Sequence, residues 1–243
     1  MQFGLYWCVW VMPAQTQNAL IKQFLHNHSS ARNTLSEFVL SHTCARRLFP
    51  GVPTACYSNV DKPRSLAGIS WTRVDDRPLH PWVAKLSALL SSPFERTVFL
   101  DNDVYLLRND FLASMVAIAR HSDVAMPIDP KRYHVPMGCT AIVNYNTTRA
   151  RAFFSAARQL LASDAEFPNA MRKGDQEALW LTWTGTSVAS TLRVLLLPDE
   201  YYCYWNKYST SWRAGRSTYR CYAWHGHGYS LRQVLKHQDA PLR

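Results

Sequence analysis

The segment Arg96-Thr97-Val98-Phe99-Leu100-Asp101-Asn102-Asp103 closes a short apolar run on two carboxylates. Such a run reads as a buried strand that delivers acids to a sheet edge, the place where α/β folds hold metals and phosphates. At a strand's period of two, Asp101 and Asp103 point to the same side. Like charges this close require a cation or a proton between them, and a hard divalent ion such as Mg²⁺ or Mn²⁺ takes oxygen ligands. The plainer alternative has one acid capping the next helix and the other solvated.

The elements that must position these acids follow from periodicity. Gly4 to Met12 is apolar but too short to span a bilayer, and reads as the first buried strand. Helical spacing from Asn33 to Leu48 stops at Pro50-Gly51; strands follow at Thr54 to Tyr57 and Ile69 to Val74. Pro81 then opens an amphipathic helix carrying Trp82, Lys85, Leu86, Leu89 and Leu90, directly before the acidic strand. This order predicts an α/β fold with a mostly parallel central sheet, helices on its faces and right-handed crossovers. The ends of the first, second and acidic strands then meet at one crevice. Beyond them the pattern predicts a helix near Leu112 to His121, strands at Val124 to Met126 and Thr140 to Asn144, a helix from Arg149 to Ala162, and a strand at Leu192 to Leu197. An aromatic tail ends the chain, and no internal repeat or linker divides it, so one domain over residues 1–243 is expected.

A formal charge of +10 predicts a surface that draws anions, but Lys and Arg are scattered without a run of five. Specific nucleic-acid binding therefore has no sequence support beyond general electrostatics. The 9 Trp and 12 Tyr are many; they either fill cores or line sugar and base pockets. Cysteines 8, 44, 56, 139, 203 and 221 lack metal-site spacing, which predicts free thiols in a reducing, cytoplasmic setting. Cys203 and Cys221 pair only if the chain is secreted, where Asn27 and Asn146 would also be glycosylation sites.

Five motifs, in order, resemble those of the nucleotide-diphospho-sugar transferases of the GT-A fold, above all the glycogenin-like family 8 enzymes and their small microbial and viral relatives. They are Lys85 in the helix before the acidic strand; Ser92-Pro93-Phe94 with Phe99-Leu100-Asp101-Asn102-Asp103; Gly138 leading to Ile142-Val143-Asn144-Tyr145-Asn146; Gly174-Asp175-Gln176-Glu177-Ala178-Leu179; and His225-x-x-Gly228. The resemblance implies a metal-dependent transfer of sugar from a nucleoside diphosphate sugar, UDP-sugar favoured, to a hydroxyl acceptor such as a glycan. It implies Mn²⁺ or Mg²⁺ held by Asp101, Asp103 and a late histidine, His225 or His227. It places Lys85 and Asn102 at the nucleotide, and Val11, Met12, Ser58 and Asp61 against its base and ribose. Gly138, Cys139 and Thr140 would lie under the donor sugar, and Gly228 would approach its phosphates. Asp175 and Gln176 are its candidate catalytic pair, Asp175 serving as general base in an inverting reaction or orienting the sugar in a retaining one. One departure stands out: Tyr229-Ser230-Leu231-Arg232 replaces the family's usual Lys-Pro-Trp, so its phosphate-binding lysine is either replaced by Arg232 or absent.

An apolar strand ending in Asp-x-Asp also resembles the haloacid dehalogenase phosphatases, where the first Asp is the nucleophile. That motif normally opens its fold, whereas about 100 residues precede it here. A basic, aromatic glycan-binding module without turnover is the non-enzymatic alternative; it leaves the carboxylates at the strand end unexplained.

Overall fold

A computed structural model describes residues 3–11, 31–74, 81–127, 142–144, 147–163, 174–197, 203–204 and 222–225. Its elements in chain order are β1 (Phe3–Val9), α1 (Ala31–Leu48), β2 (Thr54–Ser58), β3 (Ile69–Arg73), α2 (Pro81–Leu90), β4 (Arg96–Leu100), β5 (Val104–Leu106), α3 (Phe111–Ala119) and β6 (Val124–Pro127). There follow β7 (Ile142–Asn144), α4 (Thr148–Ser163), α5 (Gly174–Gly185), a 3₁₀ turn (Ser187–Thr191), β8 (Val194–Leu197), β9 (Cys203–Tyr204) and β10 (Ala223–His225).

Among the described residues, seven strands form the main sheet in the order β3-β2-β1-β4-β7-β6-β8. The first four are parallel, with β1 between β2 and β4. Strand β7 runs against both β4 and β6, and β6 is parallel to β8. Trp7 lies opposite Leu100 and Val9 opposite Ser58, so β1, β2 and β4 all end at one edge of the sheet. The antiparallel register of Phe99 with Ile142 brings the start of β7 to the same edge. β2 is buried along its whole length and β4 from its second residue, as parallel strands covered on both faces must be.

Alternation along β1 splits the interior. Leu5, Trp7 and Val9 join Phe38, Val98, Leu100, Phe111 and Met115 on the face covered by α1 and α3. Tyr6 and Trp10 join Leu86, Leu89, Phe99, Phe153, Phe154 and Leu179 on the face covered by α2, α4 and α5. Each such large side chain removed from water contributes roughly 1.5–3 kcal/mol. The second face is packed so closely that a Cβ on Gly4 would stand 2.4 Å from the Phe94 ring, so only glycine fits that strand position.

A smaller sheet, in the order β5-β10-β9, lies beyond the acidic turn. β10 is antiparallel to β5, pairing His225 with Val104, the residue that follows Asp103. The helix α5, which the Gly174 motif opens, the 3₁₀ turn and the short strands β5, β9 and β10 add to the elements expected from the sequence.

Candidate active site

Asp101 leaves β4 at the C-terminal edge of the parallel strands, and the turn after it is closed by the Val104 N–H donating to the Asp101 carbonyl at 3.1 Å. Asp103, which is buried, faces His225, with His225 Nε2 3.1 Å from Asp103 Oδ1. One ligand atom from each of Asp101, Asp103 and His225 lies within 4.8 Å of the others. Two carboxylates and an imidazole at this spacing form a hard donor set of the kind that Mn²⁺ or Mg²⁺ accepts. Burial pushes the Asp101 carboxyl above the usual carboxylate range; Lys85 and His225 pull it down, and Asp103 and Asp175 push it further up. A cation between the acids relieves that repulsion.

Lys85 sits in α2, a helix buried from Val83 to Leu89 because it is wedged between the sheet and α4–α5. Its Nζ is 2.8 Å from Asp101 Oδ1 and 3.0 Å from Oδ2, and 2.9 Å from Asp175 Oδ2. The contact to Asp175 is an ion pair whose alignment falls short of a hydrogen bond. Asp175 is placed by Gly174, which takes φ +61° at the head of α5. A Cβ there would meet the Trp82 ring at 2.5 Å, so α2 fixes α5 through both Trp82 and Lys85. Gln176 follows in the same turn and is half-buried. The Oδ1 atom of Asn102 is buried and has no hydrogen-bond partner among the described residues.

The nucleotide-side candidates are differently placed. Both backbone groups of Val11 are taken by Asn59: the Val11 N–H donates to Oδ1 at 2.9 Å and Nδ2 donates to the Val11 carbonyl at 2.7 Å. Ser58 is fully buried, and its hydroxyl accepts from the Val60 N–H. Asp61 is exposed at the edge, with Arg73 Nη1 2.6 Å from its Oδ1. Met12, Gly138, Cys139, Thr140, His227, Gly228 and Arg232 lie outside the described residues.

Three further residues, Asn59, Ser41 and Cys8, build this edge. Asn59 clamps the end of β1, and Ser41 accepts from Trp7 Nε1 while donating to the Val104 carbonyl. Cys8 is on the Tyr6 face of β1, within electrostatic reach of Lys85 and Asp101; burial raises its thiol to about 12. Period-two alternation could have put Cys8 on a face, but only the register of Trp7 with Leu100 puts it beside Asp101. Cys8, Cys44 and Cys56 are free. No helix among the described residues is long and apolar enough to cross a membrane.

The fold is that of the GT-A nucleotide-sugar glycosyltransferases. The chain is similar to the galactosyltransferase LgtC, solved with donor and acceptor sugar analogues, at TM-score 0.58 and 10% identity over 97% of this chain and 95% of that one. It is similar to the apo form of the glycosyltransferase GlyE of Streptococcus pneumoniae at TM-score 0.56 and 9% identity, over 100% of this chain and 61% of that one. Mouse xyloside xylosyltransferase 1 matches at TM-score 0.51 and 10% identity, over 93% and 98% of the two chains. Identities this low show the fold. No family sequence model and no curated protein sequence matches the chain.

Proposed function

We propose that the chain is one catalytic domain that transfers a sugar from a nucleoside diphosphate sugar, a UDP-sugar in the first instance, to a hydroxyl of a glycan or similar acceptor. The observation that carries this reading is the convergence of Asp101, Asp103 and His225 at the end of the parallel strands. In this reading those three residues hold Mn²⁺ or Mg²⁺, which supplies neutralising charge for the departing diphosphate.

The chain's own residues do the rest by position and charge. The β5–β10 ladder holds the His225 imidazole against Asp103, so two ligand side chains are arranged before any ion arrives. Asn102 Oδ1, which has no hydrogen-bond partner among the described residues, accepts a hydroxyl of the donor, since a buried acceptor gains from a partner that enters with the substrate. Asp175 and Gln176, in the first turn of α5, contact the donor sugar, with Asp175 held in place by Lys85.

Thermal shift with UDP and GDP, each with Mn²⁺ or EDTA, tests the reading, because a ligand specific for the native state raises the melting midpoint. A metal-dependent shift with UDP supports it. Equal shifts with and without metal, or none with either nucleotide, return the phosphatase and binding-module alternatives.

A further inference from the structure

Lys85 is only 8% exposed, and a buried ammonium persists only when countercharges compensate its lost hydration. Three carboxylate oxygens lie within 3.0 Å of its Nζ, two from Asp101 and one from Asp175. The Phe99 ring, with its centroid 5.8 Å from Nζ, adds an aromatic face. This is a largely buried ion-pair triad, and Lys85, its middle member, links the end of β4 to α5. Asp101 is also one corner of the cluster formed with Asp103 and His225. Any cation entering that cluster therefore shares the Asp101 carboxylate with an ammonium already bonded to it.

Charge sets the consequence. Among the described residues three carboxylates, Asp101, Asp103 and Asp175, meet the one ammonium of Lys85, which therefore offsets part of the negative charge that would attract a divalent cation. Without Lys85 the same carboxylates would hold a divalent cation more strongly, and Asp175 would lose the countercharge that holds it beside Asp101. We infer that Lys85 is a built-in counter-cation: it positions Asp175 beside Asp101 and weakens the empty site's hold on a divalent ion, so tight metal binding requires the donor's diphosphate. The inference rests on the metal-site reading above. It also gives Lys85 a different role from the nucleotide contact that the family resemblance implies.

The test is Mn²⁺ titration of the nucleotide-free protein, followed by electron paramagnetic resonance of free Mn²⁺. Lys85→Met binds Mn²⁺ roughly ten-fold tighter than wild type, the effect of removing one positive charge near a divalent ion in a wet site. Lys85→Arg, which keeps the charge, stays within about three-fold of wild type. UDP tightens Mn²⁺ binding less in Lys85→Met than in wild type. A folded Lys85→Met with unchanged or weaker Mn²⁺ binding overturns the inference. Where Lys85→Met does not fold, Lys85→Gln is measured instead, with the same tightening of Mn²⁺ binding expected; unchanged or weaker binding overturns the inference. Wild-type protein whose Mn²⁺ binding is absent even with UDP present, or indifferent to His225→Ala, defeats the metal-site reading itself and is told apart by that result.

Discussion

Ser41→Ala removes a hydroxyl that no sequence pattern marks. The Trp7 indole N–H donates to Ser41 Oγ at 3.0 Å, and Ser41 in turn donates to the Val104 carbonyl. All three residues are fully buried, so neither orphaned group has water to turn to. Leaving a buried donor or acceptor unsatisfied costs about 1–3 kcal/mol, and two are stranded here, for a loss of about 2–6 kcal/mol. For a chain of this size each kcal/mol moves the melting midpoint by about 2–4 °C, so a drop of roughly 4–24 °C is expected. Urea unfolding at 25 °C is the assay, and the midpoint falls while the slope stays constant. A second readout follows from position: Val104 succeeds Asp103 and pairs with His225, so Mn²⁺ affinity falls as well. A stability loss under about 0.5 kcal/mol would refute the reasoning, because it is too small for even one stranded buried group.

Gly174→Ala sets a Cβ 2.5 Å from the Trp82 ring and forces a side chain into φ +61°, at an expected cost of about 1–3 kcal/mol. Because Asp175 follows, turnover falls further than melting alone accounts for; steady-state kinetics beside a thermal melt separates the two. Burial and the nearby Arg46 guanidinium hold His42 at about 4, below its unfolded value of 6.5. The unfolded chain thus binds the proton first, and stability is lost as pH falls from about 6.5 to about 4, by at most about 3 kcal/mol. Subtracting the urea stability curve of His42→Gln from that of wild type across this range isolates the term; a flat difference would contradict it. Asp123 behaves alike at lower pH: burial raises its carboxyl, but hydrogen bonds from Arg193 and Arg149 prevail and hold it at about 2. Its share of stability is present above the unfolded value of 3.8 and lost below it, so Asp123→Ala flattens acid unfolding between those values.

The acidic strand was legible because its apolar run and terminal carboxylates are local features, and α2 because Pro81 and its apolar spacing mark a start and a face. What depends on pairing was not. Three residues of β7 carry no signal of direction, yet their antiparallel pairing with β4 brings the start of that strand to the site edge. The two- and three-residue strands of the smaller sheet are too short to show a period, although their register alone brings His225 to Asp103. Lys85 was found as a charge on a helix, but its partners at residues 101 and 175 come from other elements, and only packing reveals them. Val11, Ser58 and Asp61 were singled out by analogy with strand ends. Their polar groups meet Asn59, the Val60 N–H and Arg73, which strand position alone does not disclose.

The account stands most directly on one assay: release of free UDP from a panel of UDP-sugars by purified protein with Mn²⁺, beside Asp103→Asn. The prediction is slow release from at least one UDP-sugar by the wild type, abolished by EDTA, restored by Mn²⁺, and lost in the Asp103→Asn variant. Release that persists in EDTA or survives Asp103→Asn, or phosphate release from simple phosphomonoesters in place of sugar-nucleotide cleavage, would contradict it.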